Sequence, residues 1–199
     1  MPERRTQILQ AAVRVIAQDG VRGLRVEKLA AEASVSTALI YYHFKDRAGI
    51  LHAALEHINH RAENYTDAAF AAGSDPLAQL EQLLLLELQD TDEVRENSIA
   101  WGELRASAVF NQDLREALRA TTGAWNADVE ALLRQAQAVG TVTADLDPAL
   151  TAEHLTALVE GLSERWHSGS ITVDRARRVL TRALTAELVS GRDAGVESA

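Results

Sequence analysis

Apolar residues recur along this chain every three or four positions, the spacing that gathers them on one side of an α-helix. Ile8, Ala12, Val15 and Ile16 form such a stripe within a helix expected from Glu3 to Asp19. Two short helices are expected next, Val26 to Ala33 and Thr37 to His43, parted by a break at Ser34-Val35 and with Ser36 as the second N-cap. Asp46 caps a helix that carries Ile50, Leu51, Leu55, Ile58, Ala62 and Tyr65. Asp75-Pro76 and Asp147-Pro148 each mark a helix start, because the carboxylate accepts from one orphan amide and the proline removes another. The helix from Pro76 to Gln89 contains Leu83 to Leu86, apolar on all sides, and is expected to be central and buried. Thr91 caps Asp92 to Phe110, and Asn111 caps Gln112 to Val139, where Leu114, Leu118, Trp125, Val129, Leu132 and Ala136 share a face. Pro148 to Ser168 and Val173 to Ser190 complete the series. Gly20, Gly73, Gly140, Gly169 and Gly191 stand where the periodicity stops, as C-terminal glycines do. No strand-period alternation of useful length occurs, so an all-α protein of about nine helices is expected.

Composition narrows the class. Of the 199 residues 47% are hydrophobic, enough for a core. The longest apolar runs, Ala38 to Tyr42 and Ala68 to Ala72, span five residues, far short of the ~20 that cross a bilayer. No basic-then-apolar leader opens the sequence, so no membrane association and a cytoplasmic location are expected. Zero cysteines exclude disulfides, thiolate metal sites and a cysteine nucleophile. A net charge of −9 speaks at first against nucleic acid, whose phosphates are met by Lys and Arg. Its distribution reverses that inference. Residues 1–51 hold eight Lys/Arg against five acids, a net of +3, while the remainder holds 12 against 24. Both lysines and two of the three tyrosines lie in that first segment.

Within it, Arg25 to Phe44 has the plan of a helix-turn-helix. Ala30, Ala31 and Ala33 let two short helices approach steeply, and Val26, Leu29, Val35 and Ile40 supply the core between them. The second helix bears Thr37, Tyr41, Tyr42 and His43, more polar tips than so short a helix can bury. A DNA surface can use them: hydroxyls and imidazole donate to phosphates, and Ala38 and Leu39 can touch thymine methyls.

Residues 4–55 resemble the DNA-binding domain of the tetracycline-repressor (TetR) family of bacterial transcription regulators. The elements that match are Ile8-Leu9-x-Ala11-Ala12, Gly20, Val26-x-x-Leu29-Ala30-x-x-Ala33-x-Val35-Ser36, Leu39-Ile40-Tyr41-Tyr42-His43-Phe44, Asp46-Arg47 and Leu51. The resemblance implies a helix-turn-helix in an N-terminal three-helix bundle, a larger helical domain that dimerises and binds a small effector, and usually repression. Carried over by position, it puts Thr37, Ala38, Leu39 and Tyr42 at base edges and Tyr41, His43, Lys45 and Arg47 near phosphates. Two residues depart from the family pattern. Ser34 stands where glycine is common and is expected to take a left-handed conformation. Arg25 stands where Thr or Ser often precedes the second helix, exchanging a hydroxyl cap for a phosphate-binding cation. The division implied is 1–51 for DNA, 52–190 for effector and dimer, and a flexible tail over 191–199.

Residues 76–190, especially Trp101-Gly102-Glu103-Leu104 and Ala157 to Leu162, are loosely similar to the C-terminal domain of the BetI-like branch of that family. A pseudo-palindromic duplex operator and a homodimer follow from the resemblance. Leu155, Leu158, Val159 and Leu162 on one helix, with Val173, Ala176, Leu180, Ala183 and Leu184 on the next, are expected to form the dimer bundle. The alternative is that these stripes close the chain's own core. Tyr65, Trp101, Arg105, Trp125 and His154 are candidate effector contacts, or else ordinary core residues. Three scattered tryptophans do not establish the aromatic cage a quaternary ammonium needs. Gly102, Gly123 and Gly161, inside expected helices, mark close approaches or are simply tolerated. His57 and His60 are one turn apart with His154 as a conceivable third ligand, but no carboxylate completes a set and neither metal nor cofactor is expected. Ser163 lacks the glycine frame and strand of a nucleophile elbow, so no catalysis is expected. An all-helical small-molecule-binding enzyme, or a regulator answering to a protein partner, remains as the alternative function.

Overall fold

A computed structural model describes residues 2–71 and 75–189, with side chains described for 3–62 and 75–188. The elements, in order, are α1 (Pro2–Gly23), α2 (Val26–Glu32), α3 (Thr37–Phe44), α4 (Arg47–Ala71), α5 (Pro76–Leu86), α6 (Asp92–Ala108), α7 (Gln112–Ala138), α8 (Pro148–His167) and α9 (Val173–Leu184), followed by a π-helical turn at Thr185–Val189. Strands are absent among the described residues. Two compact units divide the chain, one from the residues up to Glu63 with Thr91–Thr121, the other from Asn64–Asp90 with the residues from Thr122 onward. Tyr65, Gly73 and Gly191 lie outside the described side chains.

In the first unit α1 packs on α6, α2 and α3. Ile8, Leu9, Ala12, Val15 and Ile16 on α1 share a core with Leu29, Ile40, Phe44, Leu51, Leu55 and Ile58. Ala100, Leu104 and Ala108 of α6 and Leu114 of α7 belong to the same core. Each such Leu or Ile withdraws apolar area worth about 1.5–3 kcal/mol. The regular course of α1 breaks at Gly20, whose φ of +72° suits glycine, as the sequence predicts. One polar side chain enters this core at Asn97, whose Nδ2 donates to the Ile58 carbonyl at 3.1 Å. Beside it, Arg61 pairs with Glu96 at 2.7 Å.

The second unit packs α5, the later part of α7, α8 and α9. Its core joins Leu80, Leu83, Leu84 and Leu88 to Val129, Leu132, Leu133, Ala136, Leu155, Val159, Leu162, Trp166, Leu180 and Leu184. Leu85 and Leu86 are only half-buried, so α5 hides a face rather than its whole circumference. Arg177 on α9 donates Nη1 to the carbonyls of Leu85 (3.0 Å) and Leu88 (2.8 Å), closing the C-terminal end of α5. The predicted caps are in place: Asp75 accepts from Leu77 N, Thr91 from Val94 N, and Asp147 from Ala149 N and Leu150 N. Gly140 and Gly169 take positive φ at the ends of α7 and α8. A Cβ at Gly102, Gly123 or Gly161 would meet nothing within 4 Å, so among the described residues these glycines mark no close approach.

The stripes expected to pair two copies face inward instead. Leu155, Ala176 and Leu180 are 0% exposed within a single chain, and Val159, Leu162 and Leu184 at most 5%. Such side chains have no area left to bury against a partner, so they close the chain's own core. Only Leu158, Val173 and Ala183 of that set keep partial exposure.

Candidate nucleic-acid interface

The surface built by α2 and α3 begins at Arg25, which precedes α2 in extended conformation and makes no side-chain cap, as its lack of a hydroxyl dictates. At the end of α2 the chain turns through Ser34, at φ +53°, and Val35 N donates back to the Ala30 carbonyl at 2.9 Å. Gln7 of α1 pins this turn from behind, with Nε2 donating to the Ala33 carbonyl at 2.8 Å. Ser36 then accepts from Leu39 N at 3.2 Å and starts α3.

Helix α3 is fixed from below and open above. Ile40 and Phe44 are buried, and the Arg5 guanidinium lies 5.5 Å from the Phe44 ring centre. On the opposite side Thr37 and Ala38 are exposed, Leu39 is half-buried, and Tyr41 and Tyr42 are 51% and 74% exposed. Two hydroxyls, a threonine and a methyl therefore share a rigid outer face of the size a major groove accepts. His43 is half-buried, set edge-on to Tyr42 with ring centres 5.3 Å apart. Its Nε2 is sealed from solvent and has no hydrogen-bond partner among the described residues, so this nitrogen is withheld from the outer face.

At the C-terminal end of α3 the backbone turns within one residue. Lys45 takes φ +61°, ψ −55°, and Asp46 N donates to the Phe44 carbonyl at 2.6 Å. The first turn of α4 presses against that carbonyl: a Cβ at Gly49 would stand 2.2 Å from it, so only glycine fits. Asp46 accepts from Gly49 N at 2.8 Å. The Lys45 side chain is left exposed beside α3.

Charge on this unit is partly consumed at home. Arg14 pairs with Glu32 at 2.7 Å and Lys28 with Asp19 at 2.5 Å. Arg25 lines an open hollow with Asp19, Gly23, Glu27 and Lys28. Arg22, Arg25 and Lys45 are exposed. Arg47, expected at a phosphate, instead donates Nε to the Leu24 carbonyl at 3.1 Å and a terminal nitrogen to the Val21 carbonyl. Those carbonyls lie where α1 gives way to α2; the Val21 carbonyl also accepts a long 3.3 Å bond from Leu24 N, and the guanidinium adds a charged donor at both.

The candidate effector residues fall into both units. Trp101 and Arg105 belong to the first, with the guanidinium 5.5 Å from the indole centre. Trp125 and His154 belong to the second. Trp125 Nε1 is sealed without a partner among the described residues, and His154 Nδ1 stands 2.9 Å from Glu187. His57 and His60 belong to the first unit and His154 to the second. Burial lowers the His57 pKa below its usual 6.5, reinforced by the charges of Arg61, His60 and Arg5. No grouping of three His, Asp or Glu suited to a metal occurs among the described residues, and no helix there is long and apolar enough to cross a membrane.

Sequence reasoning missed Glu103, whose Oε2 accepts from Val21 N at 3.2 Å across 82 residues. A single glutamate on a helix offers no local signal of such a role.

Comparison with known proteins agrees with this geometry. Residues 8–54 match the profile of bacterial regulatory proteins of the tetR family, and residues 76–189 that of the C-terminal part of BetI-type transcriptional repressors. The HTH-type transcriptional regulator BetI of Brucella melitensis biotype 2 is 24% identical over 178 residues, 89% of this chain and 87% of that protein. A Rhodococcus sp. protein described as a TetR-family transcriptional regulator has a crystal structure with TM-score 0.89 and 48% identity, over 94% of this chain and all (100%) of that one. A transcriptional regulator of Saccharomonospora viridis, solved in complex with choline, gives TM-score 0.85 and 26% identity over 94% of this chain and 98% of its own. With an exposed α3 held over a fixed core, and profiles matching both parts of the sequence, the chain belongs to the tetR family of bacterial transcription regulators, with a C-terminal part of the BetI repressor type.

Proposed function

We propose that the protein is a homodimeric repressor that reads a pseudo-palindromic operator through α3 and is released by a small-molecule effector. The observation that carries this proposal is the outer face of α3, where Thr37, Ala38 and Tyr42 are exposed above buried Ile40 and Phe44. Thr37, Ala38, Leu39 and Tyr42 meet base edges, and Tyr41, Lys45 and Arg25 meet phosphates. In this reading residues 1–51 serve DNA, and residues 52–190 serve effector and dimer.

The dimer uses the outward sides of α8 and α9 in place of the buried stripes. On α8, Leu150, Ala157 and Gly161 are exposed in line, flanked by Glu153 and Glu164. On α9, Arg175, Arg178 and Arg182 are exposed along one side. An isologous pairing sets one protomer's acidic α8 edge against its partner's basic α9 edge. It holds two copies of α3 at groove positions ~34 Å apart.

A small molecule releases such a dimer only if it binds better to a spacing that does not fit the operator. The choline-bound relative makes choline a natural first test, but in this chain the Trp101 ring already has the Arg105 guanidinium 5.5 Å away. A quaternary ammonium at that ring would meet a like charge, which disfavours the Trp101 face as a site for a simple cation.

Selection from a random duplex library by the intact protein tests the core of the proposal. The expected product is an inverted repeat bound by a dimer with steep salt dependence. Recovery of no enriched duplex defeats it. Release by a partner protein, with every metabolite fraction inert, defeats the effector clause alone.

A further inference from the structure

Between α1 and α2 the chain changes direction in a few residues, where Leu24 N donates to the Val21 carbonyl at 3.3 Å and Arg25 N to the Gly23 carbonyl at 2.9 Å. Further partners come from two other helices. Val21 N donates to Glu103 Oε2 of α6 at 3.2 Å, while the carbonyls of Val21 and Leu24 accept from Arg47 of α4. The same peptide unit region is thus held by a carboxylate on one side and a guanidinium on the other. Helix α2 begins immediately afterwards at Val26, and α3 is packed on it. Gly20 completes the arrangement: a Cβ there would lie 2.7 Å from Glu103 Oε2, so the missing side chain is what admits the carboxylate to the break in α1. Glu103 itself is half-buried and remote from the exposed face of α3 in sequence.

We propose that Glu103 is a positioning residue for DNA reading: its carboxylate on α6 sets the direction in which α1 hands over to α2, and so the angle at which α3 is presented. The proposal rests on the DNA-binding role proposed above. Loss of the carboxylate frees Val21 N and leaves the segment from Val21 to Arg25 held by Arg47 and by the buried Val21 and Leu24 side chains, which fix its place in the core but not the direction of its peptide groups. The core of the unit, from Ile8 to Leu114, remains.

The test uses the full chain and a fluorescent duplex enriched by the unaltered protein from a random library. Affinity and active fraction are measured separately, the latter by stoichiometric titration. Glu103→Ala is expected to raise Kd about tenfold at an unchanged active fraction, the scale of one charge-assisted hydrogen bond. Glu103→Gln keeps an acceptor at the same reach and is expected to restore binding to within about twofold. Amide exchange at Val21 is expected to accelerate in the alanine variant and not in the glutamine variant. Glu103→Asp, which keeps the charge but falls short by a methylene, serves if the alanine variant is poorly folded and is expected to lose affinity as well. The proposal is overturned if the alanine or aspartate variant binds like the unaltered protein, if only the active fraction falls, or if glutamine is as poor as alanine. A library that yields no enriched duplex with the unaltered protein overturns the DNA-binding role and this proposal together. An unaffected variant on an enriched duplex overturns this proposal alone.

Discussion

The Arg47 guanidinium on α4 donates through Nε to the Leu24 carbonyl at 3.1 Å, binding the start of α4 to the segment that leads into α2. A residue whose position in the family pattern suggests a phosphate contact therefore has its first partners within the fold. Arg47→Ala is expected to cost about 1–2 kcal/mol of stability in urea titration, because two carbonyls lose a charged donor at a half-exposed site. DNA affinity falls with it, while the slope of log K against log salt stays near that of the unaltered protein. A slope reduced by about one unit would place the guanidinium on a phosphate instead.

Tyr41 and Tyr42 separate two kinds of contact. Tyr41→Phe removes one hydroxyl at a half-exposed site and is expected to weaken all duplexes alike, by about 1 kcal/mol. Tyr42→Ala, at the most exposed ring of α3, is expected to relax the preference at one base position and leave weak non-specific binding unchanged. Mobility-shift titrations on the enriched duplex and on its single-base variants distinguish the two.

Ser34 holds φ +53° at the turn between α2 and α3. Ser34→Gly relieves the steric cost of a left-handed residue but adds freedom to the unfolded chain, leaving a net gain of about 0.5–1 kcal/mol. The midpoint of thermal unfolding should rise by a few degrees. An unchanged or lowered midpoint would mean that the serine side chain supplies more than the backbone strain takes away.

His57 carries a pH signature. Its pKa in the folded protein lies below its usual 6.5, chiefly through burial and secondarily through Arg61, His60 and Arg5. The unfolded chain therefore binds more protons in the window just below 6.5, and stability falls as pH drops through that window toward the folded-state value. His57→Gln should flatten this part of the profile. Equal slopes for both proteins between neutral and mildly acidic pH would assign the effect elsewhere.

Much of the helical plan is legible from single residues because caps and stops act locally. Ser36, Asp75, Thr91 and Asp147 each accept from an amide two or three positions on. Gly20, Gly140 and Gly169 adopt the positive φ that ends a helix. The outer face of α3 is legible too, since Tyr41 and Tyr42 are too polar at their tips to be sealed. What periodicity cannot reveal is which neighbour a stripe meets. Leu155, Leu180 and Leu184 show the same pattern whether they face a second copy or α5 and α7 of their own chain. Likewise nothing near Arg47 or Glu103 in sequence announces that both converge on the break in α1, because their partners lie 23 to 82 residues away.

The packing of α6 on α1 has a practical meaning. Ala100, Leu104 and Ala108 roof the same apolar floor as Ile8, Val15 and Ile16. A headpiece cut at residue 51 would carry every candidate DNA contact, yet it would expose that floor to water and surrender the acceptor for Val21 N. Such an excised reader should be sticky and loosely folded. Shortening this protein to a portable DNA-binding tag therefore requires carrying α6 along or repainting the uncovered floor with polar side chains.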